Sequence, residues 1–165
     1  MSPARIDRWL LKSEPDEFSI DALAARPDRR GVWDGVRNYQ ARNYMRDGMQ
    51  VGDLAFFYHS SCATPGIYGV VSIASAAYAD PAQFDRRSAY FDPKSPVAAP
   101  RWSAIDVVLV ERWDAPVTLE RLRDIAACAD MVTLRRGNRL SITPVTAREW
   151  RAVCATAGGR ERVAT

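Results

Sequence analysis

Two runs of β-favouring residues, joined by a short turn, constrain the fold of this chain more than any other feature. The first run is LAFFYHS (54–60) and the second is IYGVVSIASAAY (67–78), with Pro65-Gly66 between them. Aromatic and β-branched residues favour strands and Pro-Gly marks a turn, so the two runs predict an antiparallel hairpin. We therefore expect a fold built around a β-sheet.

Further segments extend this sheet. DRWLLK (7–12) predicts a first strand, and WSAIDVVLVERW (102–113) predicts a central strand because its apolar residues occupy both faces. MVTLRRGNRLSITPV (131–145) predicts a pair of strands that turn at Gly137-Asn138. Most neighbouring strands are thus expected to pair as hairpins.

Helix start and stop signals add short helices to the sheet. These signals are Ser19 before IDALAA, Gly48 after NYQARNYMRD, Thr118 at the start of TLERLRDIAAC, and the Thr146–Glu149 capping box. The predicted fold class is α+β: a curved antiparallel sheet or small β-barrel, flanked by short helices.

Composition limits the kind of protein. A chain of 165 residues, 47% hydrophobic and 26% charged, fits a single domain. We expect its core at about 8–152 and a loose tail at 158–165. The N-terminus has no signal-peptide core and no run approaches the ~20 apolar residues of a membrane span, so we expect a cytoplasmic location, or a nuclear one in a eukaryote, and no membrane partner.

Side chains suited to catalysis or metal binding are sparse. His59 is the one histidine, and the three cysteines, Cys62, Cys128 and Cys154, lack C-x-x-C spacing. The G-x-x-x-x-G-K phosphate loop is missing as well. We expect reduced thiols, no metal, no cofactor and no catalytic residue, although a Ser/His/Asp or Cys/His group assembled only by the fold stays open.

Trp33 points most directly to a binding site. It stands between Gly31 and Gly35, beside Asp34 and Arg37, which predicts an indole on an exposed loop. An indole at the lip of a pocket stacks on flat ligands such as nucleobases. The alternative is a structural role in the core, which is the usual fate of a large aromatic residue.

Five blocks of the chain, taken in order, resemble the EVE domain, a PUA-like family that includes the thymocyte nuclear protein and is related to YTH and ASCH domains. The blocks are WLLKSEPDEFSIDAL, VWDGVRNYQARNYMRD, VGDLAFFYHSSCATPGIYGVV, YFDPKSP…PRW and RRGNRLSITPVTAREW. The resemblance implies a curved β-barrel with flanking helices. It also implies binding of nucleic acid with modified bases, chiefly modified cytosine in DNA, in an aromatic pocket.

The resemblance and the residue types together suggest ligand-binding residues. Trp33 is expected to form one wall of a base-binding cage, with Tyr58 opposite. Asn38 offers an amide donor and acceptor to a pyrimidine edge, or else caps a helix. Because YTH domains carry a Lys-Ser pair beside the base, Lys12 and Ser13 line the pocket by resemblance. The remaining candidates are Glu14, His59, Ser60 and Ser141.

Arginines are candidates for contacts with phosphate. Arg135, Arg136 and Arg139 cluster around the predicted turn, where they can hold the backbone beside an extruded nucleotide. Arg37 follows Trp33 and is assigned the same role. An exposed, solvated hairpin tip is the alternative for the cluster. Trp102 and residues 90–96 belong to the family pattern without a role that the sequence assigns.

These observations favour a non-catalytic, monomeric reader of a modified base, with DNA preferred to RNA as the partner. The net charge of +3 is compatible with that partner without requiring it. Three alternatives stay open: an enzyme that acts on modified DNA or RNA bases through Glu14 or Asp34, an RNA-binding module, and a protein-interaction module. The last leaves Trp33 and the arginine cluster unexplained.

Overall fold

The computed structural model describes residues 5–157, so the predicted loose tail at 158–165 lies outside the described residues. Within them the strands are β1 (Arg8–Ser13), β2 (Arg30–Trp33), β3 (Leu54–His59), β4 (Gly66–Ile73), β5 (Tyr78–Ala79), β6 (Ser103–Thr118) and β7 (Ile142–Pro144). The α-helices are α1 (Ile20–Ala24), α2 (Tyr39–Asn43), α3 (Leu119–Asp124) and α4 (Ala147–Ala157).

One mixed sheet contains all seven of these strands, in the order β2-β6-β4-β3-β1-β7 with β5 paired to β6. The predicted β3–β4 hairpin is confirmed, with a register shift between Phe57 and Tyr58. β1 and β3 are parallel, because the chain returns from one to the other through α1, β2 and α2. The α+β class is confirmed, whereas the predicted antiparallel sheet is wrong at this pair, because β1 and β3 run parallel.

The sheet is also open. Its end strands, β2 and β7, each have a single neighbour in the path and do not pair with each other within residues 5–157. β7 has three residues and β2 has four, which leaves little backbone for a further ladder. The closed barrel expected from the sequence is therefore not formed by these hydrogen bonds.

Alternation along the strands divides the buried side chains between two clusters. Leu11, Trp33 and Phe57 belong to the first cluster, and Leu10 and Phe56 belong to the second. Trp33 is only 4% exposed and ends β2, where it pairs with Ile105 of β6. The prediction of an exposed Trp33 loop is wrong because Gly31 and Val32 continue a strand that buries the indole.

The caps read from the sequence are present. Ser19 accepts a hydrogen bond from the Ala22 amide at 3.0 Å, and Thr118 accepts one from Arg121 at 3.1 Å. In the capping box, Glu149 N donates to Thr146 at 3.1 Å and Thr146 N donates to Glu149 at 2.9 Å. α2 continues into a π-helical turn over Tyr44–Gly48. The helical segment therefore ends at Gly48, as the sequence predicted.

The strand pair predicted for 131–145 is wrong. Val132–Leu134 forms a 3-10 turn, and Asn138 N donates to Arg135 O at 3.0 Å across a turn that contains Gly137 at φ 79°. β7 pairs with the edge of β1 instead of with residues 131–136. Met131 is fully buried in the second cluster, which holds this segment in a non-extended conformation.

Candidate functional site

A cavity of about 680 Å³ opens beside the carboxyl ends of β1 and β2. This volume lies within the range of pockets that bind small ligands, about 300–1,000 Å³. Its walls come from four parts of the chain: the β1–α1 connection, the end of β2, residues 88–90, and the segment before β7. Elements that are far apart in sequence therefore meet at one site.

Trp33 and Phe18 form an aromatic part of the lining. Their ring centroids lie 5.8 Å apart in an edge-on arrangement, and Trp33 makes a second edge-on contact with Phe57 at 5.2 Å. A Cβ atom on residue 31 would lie 2.8 Å from Phe18 Cζ. Gly31 therefore leaves the space that Phe18 needs beside Trp33.

Tyr90 provides a third aromatic side chain in the lining. Gly35 has φ 74°, and a Cβ there would lie 2.8 Å from the Tyr90 ring, so glycine suits both the conformation and the contact. The Tyr90 hydroxyl donates to Glu17 at 2.5 Å. This hydrogen bond, together with burial, raises the pKa of Tyr90 to about 12. Tyr90 therefore ties residues 88–90 to the β1–α1 connection.

Arg37 fixes the position of residues 88–90 from outside the cavity lining. Its guanidinium donates to the Tyr90 carbonyl at 2.6 Å and to fully buried Asp80 at 2.8 Å. Asp80 also accepts from Gly35 N at 2.9 Å. The guanidinium lies 5.4 Å from the Tyr90 ring centroid and 5.5 Å from that of Trp102. Because these contacts occupy Arg37 inside the protein, its predicted role at phosphate is not supported.

Polar residues at strand ends complete the lining, and many were predicted. Lys12 N donates to Ser141 O at 2.8 Å, and Ser60 N donates to Ser13 O at 3.0 Å, which draws three segments together. Burial lowers the pKa of the Lys12 ammonium, which lies 5.5 Å from the Tyr58 ring centroid. The predicted residues in the lining are Lys12, Ser13, Glu14, Trp33, Ser60, Arg139 and Ser141.

Three predicted ligand residues do not line this cavity. Asn38 accepts from Ala41 N at 3.1 Å, so it is the helix cap that was its alternative role. Tyr58 is buried in the second cluster, on the side of β3 away from Phe57, and cannot face Trp33. His59 is buried, accepts from Ile20 N at 3.1 Å, and stacks on Tyr68 at 4.1 Å.

Burial also lowers the pKa of His59, which suits a neutral acceptor rather than a phosphate ligand. Arg135 and Arg136 are exposed and lie outside the lining, at the turn that precedes Arg139.

The sequence analysis assigned no binding role to several lining residues. They are Glu17, Phe18, Arg26, Val32, Asp34, Gly35, Val36, Ser88, Ala89 and Tyr90. Phe18 and Tyr90 lie in two of the sequence blocks that resemble the EVE domain. Their place in those blocks was the only feature of the sequence that could have indicated a role at the site. Asp34 was considered only as a catalytic group. Asp34 is exposed to the cavity, but partial desolvation by the cavity walls, with a contribution from Asp80, raises the pKa of its carboxyl.

The lining contains neither histidine nor cysteine. Within residues 5–157 no group of three or more His, Cys, Asp or Glu side chains is placed to hold a metal ion. No helix in the same range is long and apolar enough to cross a membrane. The chemistry that the lining offers is aromatic contact, hydrogen bonding and charges of both signs.

Fold and site together define a small α+β binding domain with an aromatic-walled cavity. The EVE domain family matches residues 7–156, so the chain belongs to the EVE domain family. Among curated relatives, thymocyte nuclear protein 1 of Danio rerio is 41% identical over 163 residues, covering 88% of this chain and 70% of the relative. The Homo sapiens protein of that name is 40% identical over 159 residues, covering 86% and 70%.

Solved structures show the same likeness. A protein of unstated function from Pseudomonas syringae, PSPTO5229, has a TM-score of 0.87 at 45% identity, covering 91% of this chain and 99% of the other. Human THYN1 protein, crystallised in complex with DNA that contains 5-methylcytosine, has a TM-score of 0.87 at 38% identity. That comparison covers 93% of this chain and 98% of the THYN1 chain.

Proposed function

We propose that this protein binds DNA that carries a modified cytosine, holds the base in the cavity beside Trp33, and carries out no reaction on it. The observation that carries the proposal is the cavity itself, where aromatic side chains lie next to hydrogen-bonding groups in a chain similar to a DNA-bound relative. A base enters such a cavity only after leaving the duplex stack.

The lining suits a flat heterocycle. Trp33, Phe18 and Tyr90 supply apolar surface, and a base–aromatic contact is worth about 1–3 kcal/mol. Lys12 and Ser13 supply donors at the end of β1, while Asp34 supplies an acceptor at the end of β2. Ligand sites of this type combine apolar walls with a few fixed polar groups that orient the ligand.

A cavity-filling variant tests the proposal. Ala89 is exposed and lines the cavity, so Ala89→Trp should occupy the space of the base without disturbing the core. Ala129→Trp, at an exposed position outside the lining, is the matched control. Fluorescence polarisation should show about 5- to 150-fold weaker binding of 5-methylcytosine DNA by Ala89→Trp, the equivalent of one lost stacking contact.

The same titration should include unmodified DNA and a matched modified RNA. Equal affinity of the unaltered protein for modified and unmodified DNA contradicts a modified-base reader. Tighter binding of the RNA assigns the site to RNA instead. Retention of full affinity by Ala89→Trp moves the binding site away from this cavity.

We also propose that the protein does not catalyse any reaction on the bound base. Holding a base requires complementarity to its ground state, whereas a reaction requires groups arranged for a transition state. Prolonged incubation of excess protein with modified DNA, with and without Mg²⁺, Mn²⁺ and Zn²⁺, should leave the oligonucleotide mass unchanged. A released base or strand break that disappears in Glu14→Gln or Asp34→Asn establishes the enzyme alternative.

The cellular location is proposed only conditionally. The relatives from Danio rerio and Homo sapiens are both named nuclear proteins, which supports a nuclear rather than a cytoplasmic location. We propose a nuclear location if the source of this chain is a eukaryote.

A further inference from the structure

We infer that Asp34 reads the Watson–Crick edge of the base in the cavity, accepting a hydrogen bond from the exocyclic amino group and sharing a proton with ring nitrogen N3. This inference rests on the proposed function, since it concerns how the same cavity distinguishes its base. It gives Asp34 a specificity-determining role.

The position of Asp34 supports this role. It directly follows Trp33 at the end of β2 and lines the same cavity, so the carboxylate and the indole belong to one wall. No hydrogen bond or ion pair joins its side chain to another residue of the described range 5–157. Apart from a hydrogen bond with its own backbone amide, its carboxylate oxygens are therefore available to a ligand.

The other two carboxylates of the lining are less suited to this role. Glu17 accepts the Tyr90 hydroxyl and is used in closing the wall. Glu14 directly follows the last residue of β1, whereas Asp34 directly follows Trp33 of the aromatic wall. Asp34 is thus the acidic residue with both proximity to the indole and unused acceptors.

Cytosine and its 5-substituted forms present an amino donor at N4 beside a ring acceptor at N3. A carboxylate accepts readily from N4, as Asp and Glu do when they read cytosine. An ionised carboxylate would also place its second oxygen against the N3 lone pair. One proton held between that oxygen and N3 removes the repulsion and gives two hydrogen bonds, so binding takes up a proton from solvent.

The charges around Asp34 favour uptake of this proton. Partial desolvation by the cavity walls raises the pKa of its carboxyl, and neighbouring Asp80 and Glu17 raise it further. A hydrogen bond from the backbone amide of Asp34 itself and the charge of Arg37 both oppose the shift, but the Arg37 guanidinium is bonded to Asp80 and to the Tyr90 carbonyl. The other charged side chains of the lining are Lys12, Glu14, Arg26 and Arg139.

The sign of the pH dependence follows from proton uptake. Above the pKa of free Asp34 the carboxyl must gain a proton on binding, so affinity should fall by up to about tenfold per pH unit. Below that pKa the affinity should be constant. Asp34→Asn has a fixed carbonyl acceptor and a fixed amide donor, and should bind with little pH dependence.

The test measures affinity for an oligonucleotide with one 5-methylcytosine between pH 5.5 and 8.5. Wild type should show the decline, and Asp34→Asn should not. Asp16→Asn, an exposed acid-to-amide change outside the lining, should keep the wild-type decline. Asp34→Ala should weaken binding at low pH by about 5- to 150-fold, the value of a bidentate base contact. Thermal melting checks that each variant is folded.

A second oligonucleotide isolates the contact with the amino group. Replacing 5-methylcytosine by 5-methyl-2-pyrimidinone removes that group and should weaken binding by wild type but not by Asp34→Ala. Wild-type binding that is independent of pH, with Asp34→Ala as tight as wild type, overturns the inference while the proposed function stands. Equal wild-type affinity for modified and unmodified DNA at every pH overturns both.

Discussion

Trp33 combines a structural role with a position at the site. Its indole belongs to the first core cluster, yet it also lines the cavity, so one side chain joins the interior to the ligand space. The two glycines that suggested an exposed loop are explained by packing instead: a side chain at residue 31 would collide with Phe18, and one at residue 35 would collide with Tyr90. A glycine in the local sequence indicates that another group packs closely against the backbone there. The local sequence does not identify that group when it comes from a distant part of the chain.

Burial changes what a substitution at Trp33 should do. Trp33→Ala removes a buried indole and should lower the free energy of unfolding by about 3–5 kcal/mol, measured by urea denaturation. A loss below about 1 kcal/mol would show that the indole is not part of the core.

The contribution of Trp33 to binding is better tested with a ring-preserving change. Trp33→Phe should stay folded and bind modified DNA more weakly, because a smaller ring gives less stacking area. Trp113→Phe, in the second cluster and outside the lining, should leave affinity unchanged. Equal effects of the two variants on affinity would place Trp33 outside the binding surface.

Among the secondary-structure elements, those with local signals were predictable. β1 and the β3–β4 hairpin have long β-favouring runs, and the Thr146–Glu149 box marks the start of α4. β2 was missed because RGVW is short and becomes a strand by pairing with β6. The parallel β1–β3 pair was missed because pairing partners across 40 residues leave no local pattern.

Asn38 was a candidate ligand residue, but its side chain caps α2 instead. Asn38→Ala should remove the α2 cap and cost about 0.5–2 kcal/mol of stability, while affinity for modified DNA at a temperature where the variant is folded stays unchanged. Asn38→Asp preserves the capping oxygen and should restore most of the stability. If Asn38→Ala lost affinity without losing stability, Asn38 would be a ligand-binding residue and not only a helix cap.

Asp53 connects β1 to the start of β3. Buried, it accepts from Trp9 Nε1 at 3.1 Å, from Gln50 N at 3.0 Å and from Arg5. Burial alone raises the pKa of this carboxyl, but the hydrogen bonds from Arg5, Gln50 N and Trp9 outweigh burial, so its pKa is lowered overall. The ionised form is therefore favoured in the folded state.

This pKa predicts an acid-sensitive contribution to stability. A lowered pKa in the folded state stabilises the protein above the unfolded-state pKa of about 3.9, and that contribution disappears as pH falls through the folded-state value. Asp53→Asn should cost about 1–3 kcal/mol at pH 7, and the deficit should shrink below about pH 4. Urea unfolding at both pH values measures it, and an equal deficit at both would contradict the ionised role.

At the scale of the whole molecule, the sequence predicted the kind of site better than its exact membership. Lys12 and Ser13, expected from the family resemblance, line the cavity together with Ser141 because β1 ends at Ser13 and Ser141 precedes β7, which pairs with β1. Tyr90 and Phe18 were not assigned, since their contribution depends on the buried Asp80–Arg37 pair and on Gly31. Long-range packing decides which aromatic side chains form the wall.

The exposed arginine turn extends the proposed site beyond the cavity. Arg135 and Arg136 precede Arg139, which does line the cavity, so we expect the pair to contact phosphates next to a bound nucleotide. Such contacts carry no base identity. Arg135→Ala combined with Arg136→Ala should therefore weaken binding of modified and unmodified DNA by the same factor.

Salt dependence separates direct phosphate contacts from a general loss of charge. The double variant at the turn should flatten the slope of log K against log salt by up to about 0.9 for each lost phosphate contact. Arg148→Ala combined with Arg151→Ala removes the same charge from exposed positions on α4. If that control pair changes affinity and slope as much as the turn pair does, the effect is one of net charge. If only the modified DNA is affected, the arginines act at the base, and the division between cavity and phosphate contacts is wrong.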